Sequence, residues 1–195
     1  MLAKAGIPVT RSDIFGRGGG IWLDGLPLPQ PYAGKVASLR ALITVLDGEI
    51  ARLEEQAAAM LAGDPGYAAI RQLPGIGPVL GAVIAAEIGD ITRFRKPGQL
   101  CCWAGLTPRH YESDTRVIRG HVSKQGSRML RWALVEAIQR QPAGTKPRLA
   151  RDAIIARRGD QARGIAKTAA ARILLTQVFY GMRDGRVRRA ISQAA

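Results

Sequence analysis

The stretch Leu73-Pro74-Gly75-Ile76-Gly77-Pro78 decides how the middle of this chain folds. Gly75 and Gly77 allow a tight turn and leave its backbone uncovered by side chains. Pro78 is well placed at the first position of a following helix, whose N–H groups and dipole favour a bound anion. We therefore predict a helix-hairpin-helix in which Gly75, Ile76 and Gly77 contact phosphate. A plain helical hairpin that uses its glycines for packing is the alternative.

Helical patterns flank this turn on both sides. A turn at 64–66 and a short helix precede it, and the helix that starts at Pro78 is expected to stop at Gly89. Residues 107–122 mix β-branched and charged types, which indicates a loop or a small β-hairpin. The predicted fold class is therefore all-α in the main. Further helices are predicted at 97–105, 126–139, 148–158 and 163–183, with a Gly- and Pro-rich loop or broken helix over 1–30.

Residues 32–62 carry apolar side chains at alternating steps of three and four, which is the spacing of a coiled-coil seam. A long helix is predicted here, with Gly48 weakening its middle by about 1 kcal/mol relative to alanine. The chain would form a homo-oligomer through this seam. The alternative is an amphipathic helix lying on its own domain. The seam positions are Val36, Leu39, Ile43, Leu46, Ile50, Leu53, Ala57 and Met60.

The charge is unevenly distributed along the chain, whose formal net charge is +14. Residues 1–91 hold 7 Lys+Arg against 9 Asp+Glu, a net of −2, and residues 92–195 hold 22 against 6, a net of +16. A basic excess of this size beside a phosphate-binding signature indicates a nucleic-acid partner. A merely soluble basic surface is the plainer alternative.

Ser113 lies among basic side chains. A serine hydroxyl is a weak nucleophile unless a base or a positive field supports it, and cations here could also hold the oxygens of an attacked phosphodiester. A turn former or a phosphate donor is the more common role for such a serine. Ser123 and Ser127 are similar by composition, but Ser127 fits a helix cap better. The neighbouring candidates for DNA contact are Arg109, His110, Arg116, Arg119, Lys124, Arg128 and Arg131, with His121 also nearby.

The two cysteines and the hydropathy pattern indicate a protein without disulfides, zinc sites or membrane spans. Cys101 and Cys102 are adjacent, so they cannot form an ordinary disulfide together, and they lack zinc-site spacing. We predict two buried thiols in a reduced cytoplasm and no metal site. No apolar run reaches the roughly 18 residues that a membrane span needs, so no membrane partner is expected.

Four motifs, in this order, resemble the C-terminal transposase domain of the IS110/IS116/IS902 family of insertion-sequence transposases, to which the Piv-type DNA invertases are related. The first is the turn at 73–78, and the second is Ala104-Gly105-Leu106-Thr107-Pro108. Tyr111-Glu112-Ser113 follows, and Ser123-Lys124 with Gly126 and the helix containing Leu130 and Arg131 completes the set. The resemblance covers about 64–185 and extends back through the predicted coiled coil.

The resemblance implies DNA recombination by a serine nucleophile. In that family the serine of the Tyr-Glu-Ser element forms a covalent link to DNA, which here would be Ser113. The family often has glycine next, and this chain has Asp114.

The family's front part has no match in this chain. In the family a RuvC-like domain holds magnesium on four acidic residues and assembles with a bridge RNA, so Mg²⁺ is expected only with such a domain. The expected layout is a linker remnant at 1–31, a coiled-coil helix at 32–63, a transposase domain at 64–185 and a basic tail at 186–195. Two interpretations stay open, a transposase fragment that is inactive alone and a non-catalytic nucleic-acid-binding module.

Overall fold

The computed structural model describes residues 2–113 and 116–187. Along 110–112 and 116–119 it describes the backbone and not the side chains. The predicted basic tail therefore lies outside the described residues beyond residue 187.

The chain forms two compact units, Met1–Leu53 and Glu54–Ala195. The division falls inside a long helix, whereas the sequence suggested boundaries at 31 and 63, which stay predictions. The helices of the described residues are α1 Arg17–Asp24, α2 Tyr32–Leu61, α3 Pro65–Ile70, α4 Pro78–Ile88, α5 Pro97–Trp103, α6 Arg128–Gln139, α7 Lys146–Arg158 and α8 Arg163–Asp184. Short 3-10 helices cover Leu2–Ala5, Ile91–Arg93 and Asp160–Ala162.

A two-stranded antiparallel sheet interrupts the helices. Strand β1 spans Pro108–Ser113 and β2 spans Arg116–Val122, with a register irregularity between Pro108 and His110. The prediction of a mainly helical fold with a small β-hairpin near 107–122 is confirmed.

Local sequence signals explain where the helices begin. The Asp64 carboxylate accepts a hydrogen bond from the Tyr67 N–H at 2.9 Å and so caps α3, with Pro65 at its first position. The expected turn at 64–66 is therefore the start of a helix. Ser127 caps α6 as predicted, because its Oγ accepts from the Leu130 N–H at 3.0 Å. Helix α7 begins at Lys146, two residues before its predicted start at 148, since Pro147 is tolerated in a first turn.

Helix α8 is the centre of the second unit's core. It packs against α3, α5, α6 and α7, while α4 packs on α6. Small residues let neighbouring backbones approach closely, and Gly181 lies against Ile70 of α3. The buried α8 residues are Ala166, Ala170, Ala171, Leu174, Leu175, Val178, Phe179 and Gly181.

Helix α2 differs from α8 in having no buried residue. Leu39, Leu46, Ile50 and Leu53 are each about half exposed, at 49%, 51%, 53% and 54%. The long helix is confirmed, and the coiled-coil pairing stays a prediction. In the first unit, the Arg40 guanidinium pairs with Asp24 and lowers the pKa of that carboxyl through a hydrogen bond.

The two cysteines occupy different environments. Cys101 is buried, and burial raises the pKa of its thiol. Cys102 is exposed, so the expectation of two buried thiols is wrong for Cys102. On a helix adjacent residues point in different directions, which is why only one of the pair reaches the core.

Candidate nucleic-acid interface

The turn between α3 and α4 is fixed by contacts to the end of α6. Gly75 has a φ of 83°, and a Cβ added there would collide with the carbonyl oxygen of Ala137. The Gln141 side-chain amide donates to the Pro74 carbonyl oxygen. Tyr67 adds a bond from its hydroxyl to the Pro78 carbonyl at 3.3 Å. Gly75 is therefore required by close packing, as the alternative interpretation of the turn expected.

Gly77 is the part of the turn that is open to a ligand. It is exposed, a Cβ added there would meet nothing within 4 Å, and its extended φ of −83° is accessible to any residue. It forms the N-cap of α4 without a side-chain hydrogen bond. The first N–H groups of a helix have no intrahelical partner, so this end can accept an anion.

The three residues predicted to contact phosphate thus lie in three environments. The Ile76 side chain is only 4% exposed and belongs to the core, which leaves its backbone as the sole means of contact. Gly75 is half-buried against α6 and Gly77 is exposed. DNA contact by Gly75, Ile76 and Gly77 stays a prediction, and it is best supported at Gly77.

The β-hairpin is locked at its base by two glycines with positive φ. Gly105 and Gly126 have φ values of 71° and 82°. A Cβ on Gly105 would collide with the backbone of Gln125, and one on Gly126 would collide with the carbonyl oxygen of Trp103. The segments that enter and leave the hairpin therefore cross at a distance that only glycine allows.

Arg131 joins the same two segments. Its Nη1 donates to the carbonyl oxygens of Ala104 at 3.1 Å, Gln125 at 2.9 Å and Gly126 at 3.1 Å. One terminal nitrogen carries two hydrogens, so at least one of these bonds is shared. The head group that was predicted to contact DNA is engaged with the backbone here. We assign Arg131 a positioning role at the base of the hairpin.

Ser113 lies at the far end of the hairpin. It is exposed, it is the last residue of β1, and it is in register with Arg116, the first residue of β2. Its hydroxyl is thus accessible to a large substrate. His110 is in register with Arg119 further down the hairpin. The side chains of His110, Arg116 and Arg119 lie outside the described residues, so their predicted roles stay predictions.

The remaining predicted contacts lie near the base of the hairpin. Lys124 is exposed and is a non-glycine residue with positive φ, at 53°. Arg128 is exposed in the first turn of α6. Arg109 is exposed and makes one long hydrogen bond, at 3.5 Å, to the Ser123 carbonyl oxygen. These three cations can reach a polyanion without breaking a core contact.

Other serines and cations have internal roles. The Ser123 hydroxyl oxygen is buried and has no hydrogen-bond partner among the described residues. Arg93 stacks on the rings of Phe94 at 4.8 Å and Trp103 at 4.6 Å. Arg148 is paired with Asp152 at 2.7 Å. The basic excess of the second half is thus only partly available to a partner.

The structure shows two features that the sequence did not predict. Gln141, the one buried polar residue among those described, holds the α3–α4 turn although it lies 67 positions from Pro74. A groove between the hairpin base and α8 was also unpredicted. A polar residue two positions after a predicted helix was the only signal for Gln141, and the periodicity of apolar residues gave no signal for the groove.

Neither a metal cluster nor a membrane span is found in the described part of the chain. Within residues 2–113 and 116–187, no group of three or more His, Cys, Asp or Glu side chains lies close enough to hold a metal ion. Among the helices described there, none is long and apolar enough to cross a bilayer.

Comparisons with known proteins find similarity over the part of the chain that carries these elements. Residues 67–152, which contain both turns, match the family model described as Transposase IS116/IS110/IS902 family. A probable family 20 transposase of Pseudomonas aeruginosa is 35% identical over 109 residues, which are 56% of this chain and 32% of that protein. A 43.6 kDa protein of insertion element IS110 from Streptomyces coelicolor is 29% identical over 151 residues, or 77% of this chain and 37% of that protein.

A third relative gives the same picture. The 44.8 kDa protein of insertion element IS116 from Streptomyces clavuligerus is 35% identical over 91 residues, 47% of this chain and 22% of that protein. The chain thus spans between about a fifth and two fifths of the length of these three relatives.

Proposed function

We propose that this chain, whose residues 67–152 match the family model described as Transposase IS116/IS110/IS902 family, binds DNA and takes part in transposition through Ser113. The observation that carries the proposal is the position of Ser113, exposed at the end of a hairpin whose base is locked by Gly105, Gly126 and Arg131. Such an arrangement presents a hydroxyl to a substrate as large as DNA from a fixed support.

In the proposed step, the Ser113 Oγ attacks the phosphorus of a phosphodiester. A bond from phosphorus to Oγ forms as the bond to one sugar oxygen breaks, and the serine proton passes to a base or to solvent while the departing oxygen acquires one. Attack by a hydroxyl of another strand reverses the link and frees the serine. Cations of this chain that reach the reacting phosphate would stabilise the charge that builds on the phosphoryl oxygens.

Other parts of the proposal concern partners. Any Mg²⁺ would be held by the carboxylates of a RuvC-like domain, and a bridge RNA would assemble with that domain, as the resemblance implies. The proposed place of action is the cytoplasm, at the bacterial nucleoid.

A non-catalytic DNA-binding module is the second candidate function. It is favoured by the open N-terminal end of α4 at Gly77, which can hold a phosphate without any reaction. The two candidates differ in whether a covalent adduct forms.

Salt dependence tests DNA binding. If about six phosphates are contacted, the logarithm of the association constant for duplex DNA should fall with the logarithm of salt concentration at a slope near −5. The measurement is fluorescence anisotropy of a labelled duplex across a salt series. A slope near zero would remove the basic surface from the proposal.

Trapping on a nicked or strained junction substrate tests the chemistry, with a related RuvC-like domain and its RNA supplied as a fusion. Ser113→Ala should abolish the protein–DNA adduct and leave binding nearly unchanged, since one hydroxyl adds little to a phosphate-dominated interface. Ser123→Ala and Ser127→Ala are the matched controls and should keep the adduct. An adduct that survives Ser113→Ala would refute the assignment.

Self-association through α2 is tested separately. Ile50 is 53% exposed on a helix without buried residues, so Ile50→Lys should leave the fold intact and shift the protein towards monomer in sedimentation velocity. Lys35→Ala at the same helix serves as a control outside the seam. A wild-type protein that sediments as a monomer at high concentration would overturn this part of the proposal.

A further inference from the structure

A groove of about 1020 Å³ lies between the base of the β-hairpin and the first half of α8. Its hairpin side includes Leu106, Pro108 and Val122, and its α8 side includes Ile165, Ala169 and Ile173. The floor is thus largely aliphatic. Ile165 is 57% exposed, so the apolar surface is open to a ligand.

Basic side chains line the same groove. Lys124, Arg158 and Arg172 line the groove with His121, and none of the lining residues is acidic. Within residues 2–113 and 116–187, no ion pair involves those three cations. The groove therefore suits a ligand that combines apolar faces with several negative charges.

A single strand of DNA has this combination of properties. In a duplex the base faces are stacked and paired, so they cannot contact an aliphatic floor, whereas an unpaired strand exposes its bases beside a charged backbone. The volume lies at the upper end of ordinary ligand sites, about 300–1,000 Å³, which suits a few nucleotides. Net charge of +16 over residues 92–195 supports a polyanion.

The groove also adjoins the element that carries Ser113. Pro108 lines the groove and begins β1, while Ser113 ends the same strand, five residues away. At about 3.4 Å per residue, this separation is roughly 17 Å. A DNA strand that leaves the groove along the hairpin would have to extend over this distance to reach the serine.

We propose that this groove binds a short unpaired segment of DNA a few nucleotides from the scissile phosphate. The inference rests on the proposed function, because it names the form of DNA that one surface of the same domain takes. A different occupant, such as an acidic peptide or RNA, is an outcome of the test.

The first test compares two substitutions that introduce the same charge at positions of similar exposure. Ile165 in the groove and Leu149 on α7 are 57% and 54% exposed, and Leu149 does not line the groove. Ile165→Glu should weaken binding of a labelled thymidine oligonucleotide of about six nucleotides by about tenfold or more, and Leu149→Glu by less than about threefold. The two variants should bind duplex DNA with equal affinity.

A second pair avoids changing the apolar floor. Arg158 lines the groove and its neighbour Arg157 does not, and both are exposed at the end of α7. Arg158→Gln should weaken oligonucleotide binding by about fivefold, and Arg157→Gln should change it by less than about twofold. Urea unfolding of all four variants checks that each retains the fold.

The possible results separate this inference from the proposed function. The groove proposal would be overturned if the two variants of each pair lost equal affinity for the oligonucleotide, or if the wild type did not bind it. Normal duplex binding in the same experiments would leave the proposed function intact. Stronger binding of a uridine oligomer, or displacement of the thymidine oligomer by an acidic peptide at lower concentration, would likewise overturn it. Loss of duplex binding in the wild type would contradict the proposed function itself.

Discussion

The α3–α4 turn and the β-hairpin of the second unit are supported in opposite ways. The first is held within the core, with Ile76 buried and Gly75 pressed against α6, so that only Gly77 is open. The strands of the second pack chiefly against each other, and the hairpin is fixed at its base while Ser113 is exposed at its end.

This difference indicates a division of roles. A rigid turn with open N–H groups suits contact with phosphates that carry no sequence information. A projecting element anchored at one end suits a group that must reach into a bound substrate. The proposed binding and the proposed chemistry would therefore be separable by mutation, and the expected effects decrease in size from Gly75 through Arg131 to Arg128.

The largest effect is expected within the first turn. Gly75→Ala combines a positive φ with a collision against the Ala137 carbonyl, so it should lower the free energy of unfolding by about 2–4 kcal/mol. The methyl group of Gly77→Ala would meet no atom within 4 Å, so this variant should change the free energy of unfolding by less than about 0.5 kcal/mol. Urea denaturation of both variants makes the comparison. Equal stabilities would show that the turn is not pressed against α6.

Arg131 gives the next effect, at the base of the hairpin. Arg131→Gln removes hydrogen bonds from a charged donor to three carbonyls, which should cost about 1.5–3 kcal/mol of stability. Amide hydrogen exchange should rise in β1 and β2 while duplex affinity changes little. Arg128→Gln, on the same helix, is the control for stability. Unchanged exchange in the hairpin would contradict the positioning role of Arg131.

Substitution of Arg128 should have the smallest effect on stability, and unlike Arg131→Gln it should weaken DNA binding. It is exposed and engaged in no ion pair among the described residues. Arg128→Gln should lower duplex affinity and reduce the magnitude of the salt slope by about one, with no change in hydrogen exchange. A stability loss as large as that of Arg131→Gln would remove the distinction between the two arginines.

The helices and the turn were predictable because their signals are local. Ser127, Pro78 and Gly89 mark helix ends through contacts a few residues away, so the sequence alone locates these ends. The 3-10 turn at Ile91–Arg93 was missed, since three residues show no periodicity.

The contacts that hold the α3–α4 turn and the base of the β-hairpin could not be predicted, because they join residues far apart in the sequence. Arg131 reaches Ala104 across 27 positions, and Gln141 reaches Pro74 across 67. Composition made Arg131 resemble the other basic residues, and only the fold distinguishes a cation that holds carbonyls from one that faces solvent. The groove likewise depends on residues far apart in the sequence, from the base of the hairpin and from α8.

The most direct test of the separated roles measures duplex affinity and adduct yield together, in Ser113→Ala and Gly77→Glu, with Gly63→Glu as the charge-matched control at another open glycine. Each variant would be assayed as a fusion to the RuvC-like domain with its RNA. Ser113→Ala should bind as the wild type does and give no adduct at any DNA concentration. Gly77→Glu places a carboxylate where phosphate would bind, so it should bind more weakly yet recover its adduct at saturating DNA. Adduct formation by Ser113→Ala, or an adduct lost from Gly77→Glu even at saturation, would contradict the account.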